Sequence, residues 1–230
     1  MIHRDSESNR GLFQRQVNAT RLIVAAIGIL FAFSGMDHGF FETLQGNTPT
    51  PGLFISAIGP HNQMWTYGNE LAFTLVPNFL LSGIAAISVS LLIAVWSIGY
   101  LHKKHASSIF LLLFIVLFLV GGGIAQVVYF TLAWAVSTRI NKPLTWLKSV
   151  IPERTRGMLG RPWPWLLGGF VLLSLFALEI AIFGYVPGVG AAQQLLHTCW
   201  SLLGVGLVFL LLSIASGFVH DVDSGPLAER

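Results

Sequence analysis

The chain predicts an all-α, polytopic membrane helical bundle, and three observations carry that prediction. Hydrophobic residues fill 54% of its 230 positions and charged residues only 10%, against about 25% charged in an ordinary soluble domain. Five long apolar stretches, at about 22–41, 71–100, 109–138, 165–186 and 194–219, suit the roughly 20 residues that cross a hydrocarbon core about 30 Å thick. Lys and Arg lie between these stretches and not inside them. A lipid-exposed backbone must satisfy its own hydrogen bonds, so each stretch reads as helix. This composition excludes a disordered chain, a disulfide-rich secreted domain and nearly every soluble fold. The single cysteine, Cys199, has no partner for an intrachain disulfide. The formal net charge of +3 speaks for membrane orientation and not for nucleic acid, because the basic residues flank spans.

Residues 1–21 read as a polar cytoplasmic segment with Arg4, Arg10, Arg15 and Arg21. The run that follows ends in Ala32-Phe33-Ser34, a faint signal-peptidase pattern, and reads as an uncleaved first helix. Residues 43–69 form an outside loop without Lys or Arg, interrupted by Pro49, Pro51 and Pro60. Its apolar segment 52–59 (GLFISAIG) is expected to dip into the interface, and Trp65 and Tyr67 suit the headgroup level. The second span is expected to run over 71–100. Asn69 would cap it, Glu70 would sit in its first turn, and Pro77-Asn78 would lie two turns inside.

The third stretch decides the topology. With five simple crossings the thirteen basic residues divide almost evenly between the two sides, which contradicts the positive-inside rule. An even number of crossings by 109–138 brings all thirteen to the cytoplasm. Gly121-Gly122-Gly123 stands midway, where three glycines weaken a helix and permit a sharp turn. The stretch therefore reads as a re-entrant or short helical hairpin. Residues 139–164 combine Arg139, Lys142, Lys148, Arg154, Arg156 and Arg161 with Trp146 and Trp163. That pattern predicts a cytoplasmic segment lying on anionic lipid headgroups. A glycine-rich outside connection, 185–194, joins the last two spans. The chain thus predicts one transmembrane domain over 22–220 and a cytoplasmic tail over 221–230.

Chemistry is expected at the outer side. That half holds Asp37, Glu42, Glu70 and Glu179 with His38, His61 and His197, and no Lys or Arg. Ionisable groups inside spans are costly and point to function. His38 and Glu42 are four apart, on one helical face. With His61 and His197 from the two outside connections, they form a candidate metal set. Asp37, Glu70, Asn78, Gln126 and Glu179 are candidate lining residues of an outward-opening cavity closed below by the glycine turn. Histidine with carboxylates suits a divalent ion such as zinc, iron or manganese. P-loop, dinucleotide-binding, HExxH and GxSxG motifs are absent.

Met36-Asp37-His38-Gly39 with Glu42, the Gly59-Pro60 loop, Pro77-Asn78-Phe79-Leu80 and Val120-Gly121-Gly122-Gly123 resemble an uncharacterised family of small prokaryotic membrane proteins. The resemblance covers about residues 30–135 and implies a bacterial or archaeal cytoplasmic-membrane protein, with no activity attached. Where such relatives continue Phe-Gly-Pro-Pro after the glycines, this chain has Ile124-Ala125-Gln126-Val127.

Three functions compete. The first is binding of a cation or small ligand in the outer cavity, as in a small transporter or receptor. Against it, 230 residues without an internal repeat offer little machinery for alternating access, an objection that a homo-oligomer would relieve. The second is a metal-dependent enzyme acting on a lipid or lipid-linked substrate at the outer leaflet. The third is an accessory subunit of a membrane complex, whose polar residues join helices.

Overall fold

The computed structural model describes residues 18–140, 142 and 144–224. The expectations for 1–17 and 225–230 lie outside the described residues. The helices are α1 (Ala19–Leu44), α2 (Phe79–Gly99), α3 (Ala106–Leu119), α4 (Val127–Ser137), α5 (Trp146–Val150), α6 (Glu153–Leu159), α7 (Trp163–Phe183) and α8 (Ala192–Ser224). A small antiparallel hairpin, β1 (Phe54–Ser56) and β2 (Leu71–Phe73), lies in the loop between α1 and α2. Four helices (α1, α2, α7 and α8) are long and apolar enough to cross a membrane. The third apolar stretch, 109–138, is two short helices, α3 and α4, broken at the three glycines as the hairpin reading expects.

The helix directions follow from their contacts. Gly28 of α1 lies against Ser97 of α2, Gly35 against Ser90 and Gly39 against Gly83. Numbers rise on one helix as they fall on the other, so α1 and α2 are antiparallel. Gly28 also meets Phe110, and Gly35 meets Leu117, so α3 runs parallel to α1. On α4, Gln126 donates to Ser34 at 2.9 Å, Phe130 packs edge-on against Phe31, and Ile140 beyond its end accepts from Asn18 at 3.2 Å. So α4 runs back alongside α1, and α3 and α4 form the expected hairpin. Phe114 and Phe130 stack at 3.8 Å between its two arms.

The pair α7 and α8 is antiparallel as well. Ser216 donates to the Leu159 carbonyl, Ser213 to that of Trp163, and Cys199 to that of Ala177. The end of α8 returns to the start of α1, where Asp221 accepts from the backbone N–H groups of Ala19 and Thr20 at 2.8 Å each. These are first-turn donors that have no partner inside the helix, so a carboxylate there both satisfies them and suits the positive end of the helix dipole. Asn18 caps the same helix through its side-chain oxygen. The described Lys and Arg residues consequently gather at one end, with Asn18, Ile140 and Asp221. The loop 45–78, the glycine turn and the connection 184–191 occupy the other.

Two sequence expectations need correction here. The apolar stretch 71–100 is not one helix. Leu71-Ala72-Phe73 alternates exposed, buried and half-buried as a strand does, and proline at 77 disfavours helix in the residue before it. Asn78 then caps α2 by accepting from the Leu81 N–H at 3.1 Å. So Pro77-Asn78 begins the span and does not interrupt it, and Asn69 and Glu70 lie ten and nine residues before the first residue of α2. The basic segment 139–164 does carry exposed Trp146, but Trp163 is buried in the first turn of α7, against His220.

The central constraint is the α1–α2 crossing. A Cβ at Gly39 would stand 2.7 Å from the Gly83 carbonyl oxygen, and a Cβ at Gly83 would meet the Gly39 carbonyl. Both obstacles are backbone, which cannot swing away. Gly39→Ala and Gly83→Ala should therefore each lower the thermal stability of the detergent-solubilised protein, by about 1–3 kcal/mol as an overpacked interface does. Gly168→Ala, at an open position on α7, should change it by less than about 0.5 kcal/mol. Equal effects of all three would contradict the close crossing.

Candidate functional site

The last two turns of α1 carry Asp37, His38 and Glu42 at the loop-bearing end of the bundle. His38 is 4% exposed and Glu42 is fully buried. Three features of the sequence bring other groups to them. The first is the loop 45–78, which folds down onto the bundle. Ile55, Ala57 and Ile58 are buried against the protein itself, whereas the sequence expectation has the apolar GLFISAIG segment dip into the membrane interface. Gln45 bonds the Ser56 and Ala57 carbonyls, and the Ala57 N–H donates to the Glu70 carbonyl. This places Glu70 at the foot of β2, and its carboxylate meets the His38 ring, Oε2 to Nε2, at 2.5 Å.

The second feature is the glycine turn. Its backbone extends the small sheet: Leu75 donates to the Leu119 carbonyl, Gly121 to that of Phe73, and Ile124 to that of Leu71. Gly121 and Gly123 have φ of 106° and 89°, a region that favours glycine. They are also where the turn presses on the site. A Cβ at Gly123 would be 2.8 Å from the His38 ring, and one at Gly121 would collide with the Glu42 carboxyl. The turn packs against His38 and Glu42 and does not line the small cavity beside them, and its glycines are required twice over.

The third feature is α7, whose Leu178 and Ile182 face Asp37, His38, Phe41 and Glu70 across a small cavity. Trp65 of the outer loop anchors this side by donating to the Ala181 carbonyl at 2.9 Å. The space between these side chains is about 10 Å³, close to the minimum that holds one water molecule.

Polar atoms in this cavity and on its neighbours Glu42 and Gln126 are poorly satisfied. Asp37 Oδ2, His38 Nδ1, both Glu42 oxygens and Gln126 Oε1 are buried without a hydrogen-bond partner. Ser82, the hydroxyl beside Glu42, instead bonds Thr74 and donates to the Val120 carbonyl. A buried unsatisfied polar group costs about 1–3 kcal/mol, and more when charged. The carboxylates of Glu70, Glu42 and Asp37 all act electrostatically on the His38 ring. Three acids lie near one histidine, with no Lys or Arg among the described residues at this end of the bundle. The arrangement can bind and exchange protons or hold one small cation.

The remaining expected site residues are elsewhere. Glu179 is exposed on α7. That helix buries Ala177 and Ile180 and turns Leu178 toward the cavity. At 100° per residue, Glu179 is carried to the outer surface. His61 is exposed in its loop, and His197, also exposed, bonds Gln193 one turn earlier on α8 at 2.8 Å. Asn78 spends its side chain on the cap and on Asn47. Gln126 does border the site, through Gly123 and Ser34. Of the expected metal set, only His38 and Glu42 meet in the interior. Among the described residues no three His, Cys, Asp or Glu side chains are grouped to hold a metal ion. The partner of His38 is Glu70, 32 residues away, a pairing that no spacing signals. Fold and site together define a helical membrane bundle with a buried acid–histidine cluster under a docked loop. No family model, curated protein or solved structure matches the chain, so the resemblance over 30–135 rests on its motifs alone.

Burial works against the Glu70 carboxylate, but the His38 ring outweighs it and holds that carboxyl below the ordinary glutamate range. A lowered folded-state value means stability that is present above the ordinary range and lost as the pH falls through the lowered one. The protection of residues 54–73 from hydrogen exchange, taken relative to the intrinsic exchange rate at each pH, should therefore fall on acidification in the native protein. Glu70→Gln should exchange faster already at neutral pH and respond less to acid. The same acid profile in both proteins would show that the pair does not hold the loop.

Proposed function

We propose that this is an integral membrane protein of the cell membrane that binds a small cation at Asp37, His38, Glu42 and Glu70, in the manner of a small transporter or receptor. One observation carries the reading. Asp37, His38 and Glu70 line one small cavity, Glu42 lies one turn further along α1, the Asp37 Oδ2 and both Glu42 oxygens are buried without partners, and no described Lys or Arg forms an ion pair with any of them. A cation would satisfy those oxygens and offset the excess negative charge. The size of the cavity favours an ion over a lipid or lipid-linked substrate, since about 10 Å³ accommodates a water-sized occupant. Helix breaks and a tight backbone turn beside the acids are features that ion sites in transporters share.

The charge distribution supports an orientation in which the loop-bearing end faces outward. Both ends of the described chain, with Lys103, Lys104 and the basic residues of 139–161, would then be cytoplasmic. Single-cysteine variants in intact cells check this. Gly190→Cys should react with an impermeant thiol reagent and Arg154→Cys should not, and the reverse pattern would invert the orientation.

Manganese titration of the purified protein in lipid nanodiscs, followed by electron paramagnetic resonance, tests the site. Asp37→Asn and Glu42→Gln should each weaken binding about tenfold or more, the value of one charge-assisted contact. Glu179→Gln should leave it unchanged. Binding that is insensitive to Asp37 and Glu42 but lost with Glu179 would move the site to the outer surface of α7 and reject this reading.

A further inference from the structure

A second, unrelated feature lies at the basic end. A groove of about 400 Å³ runs between α4 and the last turns of α8. Its walls are apolar, formed by Leu132, Ala135, Ile214 and Phe218, with Trp134 at its side and Arg139 at its mouth. Ile214 and Phe218 belong to the packed interior or border it, so the floor of the groove is fixed by the bundle. Arg139 is exposed, and no ion pair among the described residues engages it. Asp221, the acid of α8 whose side chain is described, is already held by the N–H groups of Ala19 and Thr20. The groove therefore joins an apolar channel to an uncompensated cation. It lies on a bundle whose same end carries exposed Trp146 and Trp165, residues that settle at the headgroup level.

We propose that this groove seats one anionic phospholipid, with an acyl chain along Leu132, Ala135, Ile214 and Phe218 and the phosphate on Arg139. Charge complementarity selects the occupant. A zwitterionic lipid offers Arg139 the same phosphate but brings its own cation to an end already crowded with Lys and Arg. An anionic lipid brings none, and the guanidinium fork matches a phosphate's oxygens. The apolar walls require a chain as well as a headgroup. This selectivity does not depend on the cluster around His38, which lies at the opposite end of α1.

Native mass spectrometry of the full chain tests the seat. The protein is equilibrated with equimolar phosphatidylglycerol and phosphatidylcholine before detergent removal in the instrument. The native protein should retain phosphatidylglycerol about fivefold over phosphatidylcholine, the worth of one cationic side chain at an anionic surface. Arg139→Gln should bring the ratio close to one, and Lys104→Gln, at the same end but outside the groove, should leave it unchanged. Ala135→Phe keeps the charge and fills the channel, so it should lose the retained lipid. An equal ratio in the native protein, an Arg139→Gln ratio like the native one, or full retention in Ala135→Phe would each overturn the proposal.

Discussion

The close approach of α1 to α2 is the constraint on which the rest of this structure depends. Glycines at 39 and 83 let two backbones meet where any side chain would hold them apart. That contact fixes the height of the upper turns of α1 against the start of α2. The loop 45–78 leaves α1 and enters α2 at this level, so its hairpin has one place to dock. The glycine turn then adds its backbone to β2, and its contact with His38 and Glu42 follows. Moving the crossing by one helical turn would separate Glu70 from His38 and the glycines from both.

The site that results is unusual in its electrostatics more than in its shape. Buried carboxylates are normally paired with a cation or held by several hydrogen bonds. Here His38 answers one of them, Glu70, and the oxygens of Glu42 lie bare against Gly121. Stability alone gives no reason to keep such groups inside a bundle, because an apolar side chain would pack there at lower cost. Binding gives one, since a group left unsatisfied in the empty protein is available to a ligand.

The two ends of the bundle are chemically opposite. One holds acids, a histidine and a docked loop, and the other holds every described Lys and Arg. The capping of α1 by Asp221 shows how the basic end is built. The acid there serves the backbone, and Arg139 is in no ion pair among the described residues. Membrane surfaces supply negative charge from outside the protein, so a basic end can be stable without internal partners.

Much of this was legible from composition and periodicity. Apolar length and the placement of thirteen basic residues determined a membrane bundle and an even number of crossings. Gly121–Gly123 located the break that this count required, because three glycines oppose helix wherever they stand. Met36 to Glu42 and Glu70 were visible as acids and a histidine without counter-charges. What only the tertiary structure decided was direction and partnership. A strand at 71–73 hides in an apolar run because short strands and helices share the same hydrophobicity, and only the pairing with 54–56 separates them. Glu179 and Leu178 are adjacent in the chain, yet 100° of helix rotation sends one outward and the other to the cavity. His38 and Glu70 meet across 32 residues because a loop folds back, and a long-range contact of that kind leaves no periodic trace in the sequence.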